Sequence, residues 1–286
     1  MDLYKNAPDD QDAPAHLFAR ELQKNNPYLL IHNVLPQLRS QRTIKQPCEI
    51  EAMRTAANIT RDGIVAMMKA STPGMFEYEY KAEFDRVLTK NGVLESAFPS
   101  IISSGKNNFY IHYYSYTGQA QDGDMILNDV GAKYKGVGND VSRGWPCNGR
   151  FSEKQRLLYT CAYNTSKYMF SIIKPGMPMA DVDLIARKYN YEQLKQIGLC
   201  NSYDDIGTYM WHGGAHHVGF DTHDIVDMTR PVAPGMVFCV DIGIYCEKWG
   251  IGFRLEDNCL VTETGCENLT AVVPSSIEDI EDIMRK

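Results

Sequence analysis

The sequence contains no run of about 18 apolar residues, no CxxC pair and no cluster of Lys and Arg. The first absence excludes a transmembrane helix, and the polar, acidic start MDLYKNAPDDQDAP does not read as a secretory signal. A cytoplasmic location is expected. The second absence leaves eight scattered cysteines, which read as reduced thiols filling gaps in a core rather than as a disulfide or zinc framework. The third, with a net charge of −7, excludes a general nucleic-acid binder, because phosphate recognition needs a clustered cationic surface. Disorder is excluded too: at 44% hydrophobic and 23% charged residues, the chain of 286 residues has ample apolar surface for a core.

Residues 1–45 read as a short N-terminal segment, too small for a core of its own and compatible with the remnant of an N-terminal domain. It holds a helical run around Phe18 to Lys24, a strand-like LLIHNV and a basic LPQLRSQR. From Pro47, Ile50, Met53, Ala57, Ile59, Ile64 and Met67 recur near a period of 3.6, which predicts a helix ended by Thr72-Pro73-Gly74. A second helix is expected over residues 77–89, before Asn91-Gly92. The segments IISS, FYIHYY and DMILNDVG then read as strands. Helices return over residues 153–173, opened by a Ser152 cap, and over residues 179–197, with KPGMP between them. Strands are expected to dominate residues 216–262, and a capping box at Ser275 to Glu278 to start a short acidic helix. This order fits an α+β fold of two similar halves that pack their sheets together.

Asp129 ends the apolar strand MILNDVG, and Asp140 follows eleven residues later in GNDVSR, after a turn. On a hairpin this spacing can bring both carboxylates to one face, where their repulsion calls for a cation between them. Asp at a strand end is more often a turn residue, but four of the seven histidines, His212, His216, His217 and His223, crowd into WHGGAHHVGFDTHD. Packing does not explain that density. Asp241 in VFCVDIGIYC and Glu256 in GFRLEDNCLVT each place an acid inside an apolar strand, where an unpaired charge costs several kcal/mol. Arg254, on the same strand face as Glu256, reads either as an arginine orienting a metal-bound carboxylate or as a plain Arg–Glu pair.

The order Asp129, Asp140, His216, Asp241, Glu256, with HGGAHHVGFDTHD and FRLED, resembles the pita-bread metallopeptidases, in the branch of aminopeptidase P and prolidase. The resemblance spans residues 46–272, inside a metallopeptidase domain expected over residues 46–286. Methionine aminopeptidases share the ligand order but generally lack an early histidine at the position of His212. The resemblance implies that Asp129 chelates one metal, that Asp140 and Glu256 bridge both, and that His216 and Asp241 complete the other. It places His112, His212 and His223 on the substrate and the tetrahedral intermediate, and Tyr245 and Arg254 near the proline pocket. It further implies a pita-bread fold and hydrolysis of the bond before a proline in second position, as an Xaa-Pro aminopeptidase or dipeptidase. The nucleophile would be a hydroxide bridging two divalent ions, with Glu256 shuttling its proton. Manganese is the first expectation for the ions, with cobalt or zinc as alternatives, and a homodimer is left open.

Two departures from the family stand out. Asp241 occupies a glutamate position, and Ile242 follows where proline is usual. One methylene less shortens the reach by roughly 1.5 Å, so weaker metal binding beside His216 is expected. Also, only about 45 residues precede the helix at Pro47, where the family carries a whole domain. Two rivals follow. A creatinase-like hydrolase cleaves a C–N bond without metal, but that branch has lost most of the ligands kept here. A non-catalytic peptide- or protein-binding domain has no need of proton-transfer groups at His112, His212 and His223.

Overall fold

The computed structural model describes residue 3, residue 5 and residues 9–285; the rest of the expected N-terminal segment lies outside the described residues. Two helices come first, α1 (Pro14–Asn25) and α2 (Leu35–Thr43). The basic run is thus helical, and the LLIHNV segment before it is irregular and joins no ladder among the described residues. Its apolar content suits a strand, but Leu29 and Leu30 are exposed, and the Leu29 N–H turns back to the Asn26 carbonyl (3.0 Å). The α2 end matters to the rest of the fold. Arg42 bonds Asp221 (2.6 Å) and Asp224, and Lys45 Nζ bonds Asp224 Oδ2 (2.8 Å), which pins the loop that carries His223.

The two halves share one element order. The first runs α3 (Pro47–Ala70), α4 (Glu77–Lys90), β1 (Ile101–Ser104), β2 (Met125–Val130), a two-stranded ribbon of β3 (Lys133–Tyr134) and β4 (Val137–Gly138), and β5 (Val141–Pro146). The second runs α5 (Glu153–Ile172), α6 (Met179–Gln196), β6 (Val237–Cys246), β7 (Ile251–Val261) and β8 (Cys266–Asn268), and α7 (Ile277–Met284) closes the chain. Local chemistry sets these limits. Pro47 opens α3 at a position that needs no N–H, and Glu49 folds back to accept from the Gln46 N–H (2.6 Å). Ser152 caps α5 by exchanging bonds with Gln155. At α7 the cap is Ser276, which accepts from the Asp279 N–H (3.0 Å), one residue later than the sequence suggested.

Each half contributes a three-stranded antiparallel sheet, β1-β2-β5 or β6-β7-β8, with the long strand of greatest consequence, β2 or β7, in the middle. Strand β7 packs on β5 and β2 and so joins the two sheets, while α4 packs on β1 and α5 on β6 and β7. The core fills this interface and includes Trp145, Phe84, Phe238, Phe253, Tyr159 and Tyr80. Two further strand expectations fail in part or whole. FYIHYY begins in a 3-10 turn (Gly105–Phe109) and continues irregularly, because Asn108 spends its side chain on the Met125 and Gly252 carbonyls (2.8 and 2.9 Å) and anchors a loop there. Residues 216–236 form a loop with a single bridge, His217 to Phe238, and the strand starts at Val237. No helix among the described residues is long and apolar enough to cross a membrane.

Candidate metal centre

The side chains of interest converge where the central strands meet. In the β6–β7 ladder Cys239 faces Asn258, Asp241 faces Glu256, Gly243 faces Arg254 and Tyr245 faces Gly252. Alternation puts all eight positions on one face of the pair. From the other sheet, Asp129 lies opposite Ser142 near the end of β2, and Asp140 sits just before β5. The hairpin expected from the spacing forms and brings both aspartates to this point.

The HGGAH segment follows the open edge of β6 without being a strand. The Asp241 N–H donates to the Gly214 carbonyl (3.0 Å), and the Cys239 N–H to that of His216 (2.7 Å). From α6, Asp183 accepts from the Gly214 N–H (2.5 Å) and Arg187 donates to the His212 carbonyl (2.5 Å). These bonds set His212 and His216 beside the strand. His216 Nε2 stands 3.3 Å from Glu256 Oε1 and 3.5 Å from Asp140 Oδ2. His223 leans on the His216 ring, with centroids 4.3 Å apart.

His212 bridges two partners. Its Nδ1 lies 3.1 Å from Asp241 Oδ2, and its Nε2 lies 3.1 Å from the Tyr245 hydroxyl. Glycine at 243 makes this possible, since a Cβ there would come within 2.2 Å of His212 Nε2. Arg254 extends the chain of contacts, donating to the Tyr245 hydroxyl (3.0 Å), the Ile111 carbonyl (3.1 Å) and Asp129 Oδ2 (2.9 Å). Arg254 therefore pairs with Asp129 across the two halves, not with its strand neighbour Glu256. Glu256 Oε2 instead accepts from the Ser142 hydroxyl (2.8 Å).

Asp129, Asp140, His212, His216, Asp241, Arg254 and Glu256, with His112 and His223 nearer the mouth, line one open cavity of about 580 Å³. Tyr245 is fully buried behind this wall and reaches the cavity only through His212 and Arg254. A larger cleft of about 730 Å³, beside Arg150, Arg156 and Arg285, holds none of these groups.

The electrostatics call for a cation. Burial, then Glu256 and Asp129, push the Asp140 carboxyl well up. Burial raises Asp129 as well, against the pull of Arg254. At His216 burial works against the charged ring, but the Glu256 carboxylate 3.3 Å away, then Asp241, prevail and lift it to about 9. His212 is also raised, Asp241 outweighing burial, whereas burial and the neighbouring His216 lower His223. Four buried oxygens, Asp129 Oδ1, Asp140 Oδ1, Asp241 Oδ1 and Glu256 Oε1, have no hydrogen-bond partner among the described residues. Such oxygens are costly unless an ion completes them, so the donor set fits hard divalent cations.

Three contributors escape a reading of the sequence. Asn258 grips Asp140 at both backbone groups, accepting from its N–H (3.1 Å) and donating to its carbonyl (2.6 Å). Ser142 holds Glu256. Cys239, assigned to core filling, brings its sulfur within 4.8 Å of ligand atoms of Asp140, His216 and Glu256. The signal was available, since Cys239 and Asn258 each lie two residues from an acid on the same strand face.

Paired α+β halves closing on a buried carboxylate–histidine cluster define the pita-bread class of metallopeptidase domain. Residues 51–263 match the model of metallopeptidase family M24, and the chain belongs to that family. The Xaa-Pro aminopeptidase of Escherichia coli (strain K12) is 32% identical over 268 residues, covering 87% of this chain and 61% of the relative. The chain thus spans less than two thirds of that relative's length. Among solved structures, a candidate aminopeptidase P from Bacillus anthracis aligns at a TM-score of 0.95 and 36% identity, covering 99% of this chain and 68% of that one. E. coli aminopeptidase P with the inhibitor Pro-Leu aligns at 0.88 and 30%, covering 96% and 69%.

Proposed function

We propose that this chain hydrolyses the peptide bond preceding a proline in second position, as an Xaa-Pro aminopeptidase or dipeptidase. The observation that carries the reading is the set of four unpartnered carboxylate oxygens converging on an open cavity beside His216. Asp129, Asp140, His216, Asp241 and Glu256 would hold two divalent ions, with manganese the first choice and cobalt or zinc the alternatives. Ions bound there would lower the pKa of a water and polarise the scissile carbonyl.

The chain's own residues do the rest. Glu256, fixed through Ser142, is the group placed to take and return a proton at the reacting centre. His212 is oriented by Asp241 and Tyr245, so it presents a defined ring edge to substrate. His112 and His223 line the mouth, where donors can meet developing charge on the carbonyl oxygen. Arg254 fixes Asp129 and, with Tyr245 behind it, closes the wall assigned to the proline side. The eight unpaired cysteines fit a reducing compartment, the cytoplasm.

The test compares peptides that differ only in proline or alanine at the second position, with and without added Mn²⁺ or Co²⁺. Metal-dependent cleavage confined to the proline peptides is expected. Peptide binding without cleavage under every metal condition would overturn the enzyme reading and favour a binding domain.

A further inference from the structure

The sulfur of Cys239 occupies a place that packing does not require. Cys239 is fully buried on β6, two residues before Asp241, and one side of it joins a small apolar cluster with Val137, Val218 and Leu260. Any small apolar residue would serve that cluster. Its sulfur, however, turns to the carboxylates. With one ligand atom each from Asp140, His216 and Glu256 it forms a group whose members all lie within 4.8 Å of one another. Around one four-coordinate ion with bonds of about 2.0–2.3 Å, neighbouring donors stand roughly 3.3–3.8 Å apart, so a small contraction closes the group. Asp140 and Glu256 are 3% and 2% exposed, and each carries one buried oxygen without a hydrogen-bond partner among the described residues.

The rest of the site leaves room for a fourth donor. Asp241 has the shorter acid side chain, and its Oδ2 is engaged with His212 Nδ1 at 3.1 Å. Among the described residues, Asp241 stands outside the group that Cys239 completes. Asn258 ties the arrangement together, since the amide that holds the Asp140 carbonyl also lies 3.4 Å from the sulfur.

We propose that Cys239 is a metal ligand, supplying a thiolate to the ion held by His216, Asp140 and Glu256. The proposal rests on those three residues binding a divalent ion. On binding, the S–H bond breaks, the metal–sulfur bond forms and the proton leaves to solvent. A thiolate is a soft donor, so it shifts this position from manganese towards zinc, cobalt or ferrous iron. The centre then differs from an all-oxygen and imidazole site in metal choice.

The experiment uses the full chain, stripped of metal and titrated with Co²⁺. The wild type is expected to develop an intense sulfur-to-cobalt absorption in the near ultraviolet, saturating with the visible cobalt bands. C239S is expected to lose the ultraviolet band while retaining the visible ones, and to lose preference for zinc over manganese by roughly tenfold in chelator competition. C239A serves the same purpose if the serine hydroxyl disturbs folding. Stoichiometric cobalt binding without the ultraviolet band, or a band that survives in both variants, overturns the ligand assignment and leaves the metal centre standing. Absence of any cobalt binding overturns the metal centre and the assignment with it.

Discussion

Arg254 of β7 and Asp129 of β2, 125 positions apart in the chain, meet at 2.9 Å and tie the two sheets together at the cavity floor. Arg254 is buried, and Tyr245, Asp129 and Asp241 keep it charged despite that burial. Its planar fork also reaches Tyr245 and the Ile111 carbonyl, a geometry that an ammonium cannot reproduce. R254K is therefore expected to stay folded and bind metal about 10- to 100-fold more weakly. R254M leaves Asp129 buried and uncompensated, and should cost about 3–5 kcal/mol without metal. Chelator competition and urea unfolding measure the two effects. Unchanged metal affinity in R254K would show that Asp129 needs no fixed partner.

Asp241 shares its carboxylate with His212 and is one methylene shorter than the family glutamate. D241E should lengthen the reach towards His216 and tighten metal binding by about tenfold. Equal affinities would mean that β6 already sits close enough to compensate.

Gly243 leaves the space that the His212 ring fills. In G243A the added methyl, 2.2 Å from Nε2 in the present geometry, must move the ring away from Asp241 and Tyr245. Overpacking of this kind costs about 1–3 kcal/mol, so the variant should fold. Turnover should fall far more than metal affinity, because the ring displaced is assigned to substrate. A variant as active as wild type would remove His212 from that role.

Much of this site can be read from the sequence. The acids inside apolar strands and the histidine-rich stretch locate the cavity, apolar periodicity locates α3, and turn and cap signals bound α4 to α6. What escapes has a common cause, the dependence of a local outcome on a distant partner. FYIHYY has strand composition, but Asn108 bonds to carbonyls on β2 and β7 and holds the region as a loop. Arg254 has an acid two residues away, yet its partner comes from the other half. Cys239 reads as a core thiol until the two sheets are brought together.

The metal-free chain should lose stability as pH rises. His216 is raised from 6.5 to about 9, so its contribution is complete below 6.5 and fades as pH climbs through 9. Asp140, also raised, acts in the same direction, because its buried charge develops as pH increases. A divalent ion replaces those protons and adds about 4 kcal/mol at a thousandfold excess over Kd. Melting temperatures with chelator should therefore fall between pH 6.5 and 9 and recover with Mn²⁺. A chelated profile that is flat or rising would contradict the burial and repulsion assigned to this cluster.

The central claim is that five residues from two halves build one two-metal centre. An anomalous-difference map from Mn²⁺-soaked crystals tests it most directly. Two peaks are expected, one against Asp129 and one against His216, with Asp140 and Glu256 touching both. A single peak that leaves Asp129 without an ion, or density only at other surface carboxylates, would contradict it.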